Sequence, residues 1–351
     1  MNEFRKIIHI DMDCFFAAAE ERDNLDIRGK AIAVAGAPEK RGVVSAANYR
    51  ARKFGIHSAM PSARAIRLRP DLIIVPPDIE KYKRISSNIR EIFFKYTGLV
   101  EPLSLDEAFL DVTECNFCKN SATLIAKEIR KKIYEAEQLT ASAGISNNKF
   151  LAKVASDWNK PNGQFVISPD EVSEFVIKLP IEKIFGVGPK TGGKLHDMGI
   201  KICGDLQKLS IQDLVQKFGK FGHRLHELCR GIDHREVEPN RERKSLSVET
   251  TFVKDLVDEK GCLEELSLLT SRLEKQLPSC DTQSFRKVFI KIKFADFSST
   301  TIETIASKIN EELLKKLLCD GLARGNGKSV RLLGLGIRFS NLGYKEQLCF
   351  W

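Results

Sequence analysis

Long apolar runs are missing from this chain of 351 residues. None approaches the ~20 residues that a membrane-crossing helix needs, and MNEFRK at the start has no apolar core of a secretion signal. A soluble, cytoplasmic protein is therefore expected. Paired metal-binding cysteine motifs are missing as well. The nine cysteines are an odd number scattered along the chain, which suits a reducing compartment rather than a disulfide framework. Cys115 and Cys118 have CxxC spacing without a second CxxC to complete a thiolate site. Histidine is scarce: of six, only His223 and His226 stand at a helical spacing that permits joint ligation, no third ligand is evident, and none is expected to form a site. A concentrated basic tail is also absent. The charge is 56 Lys and Arg against 47 Asp and Glu, a net +9, and the excess is spread along the chain. A polyanionic partner would meet a long shallow groove, apart from the local cluster Arg241–Lys244.

What is present is enough chain, with an ordinary apolar content of 42%, for two or more domains. An apolar strand over 5–13 is followed, after an insertion over 17–77, by a helix from Ile79 whose apolar face runs Tyr82, Ile85, Ile89, Ile92, Phe93, Tyr96. A hairpin over Leu99–Val112, a helix from Ser121 to about Glu137 and strands at TASAGIS and GQFVIS, with a helix between them, complete a split βαβ, ferredoxin-like order. The insertion shows short strands at Ala31–Val34 and Val43–Ala46 and short helices near Tyr49–Phe54 and from Pro61. Residues 173–240 show short helices and no strand, and 241–245 reads as a linker. Beyond it the pattern predicts strand (Leu246–Phe252), helix (Cys262–Leu277), strands (Arg286–Phe294, Ser299–Ile302), helix (Ile305–Leu318) and strand (Arg331–Phe339), a second unit topologically similar to the first. The fold class is α+β and multidomain.

Carboxylates carry the chemical signal. HIDMDCFFAAAE ends an apolar strand in Asp11 and Asp13, and the ferredoxin-like order makes that strand a neighbour of the hairpin bearing Asp106 and Glu107. Converging carboxylates repel one another unless a cation sits between them. Oxygen-only donors select a hard ion such as Mg²⁺, and two such ions ~4 Å apart clamp an in-line phosphoryl transfer. A solvated strand tip and hairpin is the competing reading. In a regular strand Asp106 and Glu107 face opposite sides, so they must lie where the strand breaks into the turn, an irregularity that Pro102 and Ser104 favour.

Other motifs suit phosphate. GVVSAANYRARKFGI puts Tyr49 and Arg52 on one helical face, and DWNKPNG holds Lys160 in a loop; either alone also reads as a solvated basic face. IFGVGPKT places Gly186, Gly188 and Lys190 at a helix start, the helix-hairpin-helix pattern in which backbone amides meet DNA phosphates without reading bases. KFGKFGHRL is either a degenerate second turn of that kind or core packing by Phe218 and Phe221. Glu20 and Glu21 read as ordinary helix charges. Gln347, Leu348, Cys349, Phe350 and Trp351 end the chain with two aromatics, as a docking peptide or a segment folded back on its own domain.

IDMDCFFAAAE, GVVSAANYRARKFGI, EPLSLDEAFLDV, SAGISNNKFLAKVASDWNKPNGQ and IFGVGPKT, in this order, resemble the Y family of DNA polymerases, and the likeness runs from about Lys6 to the C-terminus. It implies a right-hand architecture: palm (1–16 and 78–172), fingers (17–77), thumb (173–240), linker (241–245), little finger (246–340) and a clamp-binding tail (341–351). It further implies that Asp11, Asp106 and the Met12 backbone carbonyl hold two Mg²⁺ ions, with Glu107 completing the catalytic site and Asp13 outside the primary ligands. Phe16 matches the steric gate that excludes a ribose 2′-OH. Tyr49, Arg52 and Lys160 match triphosphate contacts, Gly186, Gly188 and Lys190 match DNA contacts, and Gln347, Leu348, Phe350 and Trp351 resemble a sliding-clamp motif, with Phe350 where an aliphatic residue is commoner. The small residues Ser45, Ala46 and Ala47 would leave room above the templating base, although Ala46 stands where many relatives carry a hydroxyl. The implied activity is low-fidelity, template-directed addition of dNTPs to a primer, across damaged bases, by a monomer without proofreading. Two other readings share parts of this pattern: a non-catalytic DNA-bridging protein and a nucleotide cyclase on the same palm plan.

Overall fold

The computed structural model describes residues 4–277 and 285–339. The chain divides into two compact units; one takes in residues up to 35, 44–60 and 65–241, the other 36–43, 61–64 and residues from 242 on.

The first unit is built around β1 (Ile7–Met12), whose alternation decides both of its faces. Ile8, Ile10 and Met12 enter the main core, and Ile7, His9 and Asp11 point to the other side. After a helix over Phe15–Asp23 come β2 (Ile32–Ala35), β3 (Val44–Ala47) and β4 (Ile73–Val75), a small sheet in the order β3-β2-β4. Its core is rich in alanine, Ala33, Ala35, Ala47, Ala51 and Ala65, with Ile56, Met60 and Leu72. The sequence pattern missed β4, because three consecutive apolar residues carry no period. β5 (Val100–Pro102), β6 (Glu107–Asp111), β7 (Ala141–Ser146) and β8 (Gln164–Val166) join β1 in the order β5-β6-β1-β7-β8. This is the ferredoxin-like order with β8 added parallel to β7.

Two helices cover the Ile8 face, and their starts follow from local chemistry. Asp78 accepts the Lys81 amide at the head of Ile79–Phe94, and Ser121 accepts the Leu124 amide at the head of Ala122–Glu137. Ile85, Ile89, Ile125, Ile129 and Ile133 are buried there, each worth ~1.5–3 kcal/mol of removal from water. The opposite face is covered by Lys149–Ser156, which can approach because position 144 has no side chain. A Cβ on Gly144 would lie 2.0 Å from the Ala152 carbonyl oxygen and 2.2 Å from the Ser156 nitrogen. Gly144→Ala is therefore expected to destabilise the protein by ~3 kcal/mol or more, at the upper end of overpacking penalties. A denaturant melt reads this directly, and an unchanged midpoint contradicts the seating of that helix.

Residues 172–228 are helical. Val176, Leu179, Ile184, Leu195, Leu214 and Leu225 share a core with Leu151 and Val154 of the helix Lys149–Ser156. In KFGKFGHRL the packing reading holds. Ile211–Phe218 and Lys220–Leu228 form a helix pair about Gly219, with φ 59°, and Phe218 and Phe221 pack partly buried on the core.

In the second unit β9 (Ser245–Leu256), a helix over Glu259–Gln276, β10 (Phe285–Phe294), β11 (Ser299–Ile305), a helix over Glu311–Ala323 and β12 (Val330–Phe339) follow the expected chain order. The sheet order, β11-β10-β12-β9, differs from that of the first unit. There the opening strand β1 is central; here the opening strand β9 is at an edge and the closing strand β12 is inside. The expectation of similar topology is thus corrected. Both sheets satisfy the same apolar patterns, and the nearly continuous apolar run of β12 suits an interior position. The expected helix Ile305–Leu318 also starts later, because Ile305 pairs with Lys287 and the cap is Asn310, which accepts the Leu313 amide at 2.8 Å.

Candidate active site

The register of β1 decides the site. Asp11 lies opposite Glu107 on β6 and opposite Ser142 on β7, so these three side chains emerge on one face. Asp106 sits one residue before β6, where the strand breaks into the turn, as its neighbours required. Its carbonyl accepts the Met12 amide at 2.9 Å, and its carboxylate takes the Ser104 hydroxyl. Met12, whose carbonyl is an expected ligand, is the last residue of β1.

Two ammonium groups stand against these acids. Lys160 Nζ lies 2.8 Å from Asp11 Oδ1 and 2.8 Å from Asp157 Oδ1, and Lys153 Nζ contacts Glu107. Burial pushes Asp11 up to about 6, against the pull of Lys160 and with the charges of Asp106 and Glu107 adding to the rise. Burial alone would raise Glu107 as well, but hydrogen bonds from His9 and Lys153 overcome it and hold the carboxyl at about 2. Asp11 and Glu107 face one another as carboxylate donors, with Asp106 at the adjoining turn, and oxygen donors of this kind fit a hard divalent cation.

His9 was not expected in the site, and here the sequence reading is corrected. Its ring is buried, with Nε2 3.1 Å from Glu107 Oε2 and Nδ1 2.8 Å from Ser156 Oγ. Ligand atoms of His9, Asp11 and Glu107 lie within 4.8 Å of one another. Burial lowers the His9 pKa to about 4, so the ring is neutral near pH 7. A carboxylate only accepts, so Nε2 carries the proton, while Nδ1 faces the Ser156 hydroxyl, which also lies 2.8 Å from the Lys153 carbonyl. With both nitrogens engaged, His9 orients Glu107. Period-two alternation from Asp11 would have pointed to it. Lys153 and Asp157 were missed too, although helical spacing in FLAKVASD puts them on one face.

Phe16 follows directly. It is the second residue of Phe15–Asp23, partly buried, and its ring stacks on Tyr82 at 4.1 Å between centroids and 10° between planes. The Tyr82 hydroxyl donates to Glu20 at 2.6 Å, and Lys81 lies 2.7 Å from the same carboxylate oxygen. Glu20 is therefore a buried anchor and not an ordinary helix charge. Phe15 packs inward, 2% exposed.

Tyr49 and Arg52 share a short helix, Tyr49–Arg52, whose cap Asn48 accepts the Ala51 amide at 2.9 Å and donates to the Lys30 carbonyl at 2.8 Å. The Arg52 guanidinium carbon lies 4.9 Å from the Tyr49 ring centroid, and Arg52 Nε donates to the Ala47 carbonyl at 2.9 Å. The Tyr49 hydroxyl reaches Asp13, which ties this helix to the end of β1.

Gly186, with φ 98°, makes the turn that a side chain would strain, and Gly188 caps the helix Pro189–Asp197. Because Pro189 has no N–H and Gly192 already bonds to Gly188, the amides of Lys190 and Thr191 are left to face solvent or an anion. Gln347, Leu348, Phe350 and Trp351 lie outside the described residues.

Known proteins resemble this chain over most of its length. Residues 10–157 match the impB/mucB/samB family, 243–348 the C-terminal domain of that family, and 182–233 the DNA polymerase-iota thumb domain. A solved Y-family DNA polymerase chimera superposes with a TM-score of 0.86 at 29% identity, covering 95% of this chain and 98% of that one. An insertion ternary complex of Dbh DNA polymerase superposes with a TM-score of 0.67 at 28% identity over the same shares. The chain belongs to the Y family of DNA-directed DNA polymerases. Within it, the similar curated proteins include DNA polymerase IV of Legionella pneumophila strain Philadelphia 1, 54% identical over 96% of this chain and 95% of the relative. DNA polymerase IV of Mannheimia succiniciproducens is 48% identical over the full length of both.

Proposed function

We propose that this chain carries out low-fidelity, template-directed translesion DNA synthesis, adding dNTPs to a primer 3′-OH with two Mg²⁺ ions and without a proofreading exonuclease. The observation that carries this reading is the β1–β6 register, which sets Asp11 against Glu107 with Asp106 at the adjoining turn. Asp11, Asp106, Glu107 and the Met12 carbonyl would hold the ions, which when bound lower the pKa of the 3′-OH and neutralise triphosphate charge.

The chain's own residues do the rest. His9 and Lys153 keep Glu107 ionised and oriented. Tyr49, Arg52 and Lys160 supply one hydroxyl and two cationic donors to the triphosphate, the guanidinium as a planar fork. Phe16 takes the volume that a 2′-OH would need. Ser45 is exposed and Ala46 half-buried, so little bulk stands over a templating base, which suits damaged bases. The Lys190 and Thr191 amides, with the Lys190 charge, hold the duplex backbone without reading sequence. The right-hand division takes its palm from 1–16 and 78–172, fingers from 17–77, thumb from 173–240 and little finger from 246–340. The protein works as a monomer in the cytoplasm. Among the described residues no helix is long and apolar enough to cross a membrane.

Primer extension with each dNTP supplied singly tests the reading. The complementary nucleotide is expected to be added most efficiently and mismatched ones measurably, opposite damaged as well as intact bases, and a mismatched 3′ end is expected to stay in place. Failure to extend overturns the activity, and removal of the mismatch overturns the absence of proofreading. The tail 341–351 is assigned to the sliding clamp. Deleting residues 347–351 is expected to abolish clamp-stimulated processivity and leave basal extension unchanged; equal stimulation of both proteins would refute the assignment.

A further inference from the structure

Asp13 has no place among the expected metal ligands, yet its carboxylate accepts from three donors. It is 2% exposed, just past the end of β1. A buried carboxylate persists only where its oxygens are satisfied by donors. Oδ2 accepts the Asn162 amide at 2.7 Å, and Oδ1 accepts the Ser142 hydroxyl at 2.8 Å and the Tyr49 hydroxyl at 3.3 Å. These donors come from three separate pieces of chain: the loop that holds Lys160, strand β7, and the helix that holds Arg52. Arg130 clamps the same loop, with Nη2 2.7 Å from Asn162 Oδ1 and Nε 2.8 Å from the Ala141 carbonyl. Directly after Asp13 the chain turns through Cys14 in the left-handed region, φ 41°, which sends the following helix away and leaves the carboxylate facing inward.

We propose that Asp13 is a positioning residue, which ties the Tyr49 hydroxyl and the Asn162 amide to the end of β1 and so sets Arg52 and Lys160 at a fixed place relative to Asp11. The proposal rests on the reading of Tyr49, Arg52 and Lys160 as triphosphate contacts. Asp13 touches no reacting atom. Its effect falls on how well the incoming nucleotide is gripped, not on DNA binding.

Single-nucleotide insertion kinetics on a matched primer-template test this with the full chain, using Asp13→Ala, Asp13→Asn, Lys160→Ala and the double variant D13A/K160A. Asp13→Ala is expected to raise the KM for dNTP about ten-fold or more, the usual consequence of losing hydrogen bonds to a charged group, with primer-template affinity unchanged. Asp13→Asn is expected to fall between, about three-fold, because its amide oxygen still accepts the Asn162 N–H while its NH₂ group accepts nothing. Since Asp13 acts through the loop of Lys160, the double variant is expected to be little worse than the worse single one. A KM raised by Lys160→Ala but untouched by Asp13→Ala overturns the proposal alone. A KM untouched by Lys160→Ala overturns the triphosphate reading and the proposal with it. A loss of active sites by titration, with normal KM in those remaining, assigns Asp13 a purely structural role and also overturns it. If the alanine variant does not fold, Asp13→Asn decides by the same criterion: a wild-type KM is contrary and a raised KM supportive.

Discussion

Replacing Asp106 with alanine is expected to reduce primer extension by about a thousand-fold or more, equivalent to ~4 kcal/mol of transition-state stabilisation, and to leave primer-template binding intact. The size follows from what is removed. Asp106 lies at a turn outside the apolar cores, and the bond that Met12 makes to it goes to the carbonyl, which alanine keeps. Only a carboxylate beside Asp11 is lost, together with its bond to Ser104. The measurement is single-turnover extension alongside a binding titration of the same primer-template. Retained synthesis would remove Asp106 from the ion-holding set.

Changing Phe16 to alanine is expected to raise the ratio of ribonucleotide to deoxyribonucleotide insertion by about ten- to a hundred-fold, matching the ~1–3 kcal/mol that forcing extra atoms into a filled space typically requires. A steric gate discriminates only if it cannot yield. Here the ring is braced from behind: it stacks on Tyr82, whose hydroxyl is fixed on Glu20, which Lys81 holds in turn. The ring is only partly buried, so the variant keeps its fold, and deoxyribonucleotide insertion is expected to change little. Competition between rNTP and dNTP at one template position reads the ratio. Unchanged sugar discrimination would remove Phe16 from that role.

Much of this was legible before any coordinates. The period of the apolar residues located the helices that begin after Asp78 and Ser121, since both caps and stripes are local features. The placing of Asp106 at a break in its strand was legible as well, because period-two alternation forbids two adjacent acids from sharing a face. β4 was illegible, being too short to show a period. So was the helix start at Glu311, where the boundary rests on the Asn310 cap and an apolar Ile305 continues the strand instead of opening the helix.

The sequence by itself located most of the strands and helices and their apolar faces, and singled out acids, aromatics and glycines as candidates for chemistry. Those properties depend on neighbours a few positions away. The tertiary structure alone decided that His9 serves Glu107, that Asp13 gathers three segments, and that β12 rather than β9 takes an interior place in its sheet. Each of these depends on register and pairing between distant stretches of backbone. A repeating apolar pattern is satisfied equally well by several such pairings, and only the packed molecule selects one.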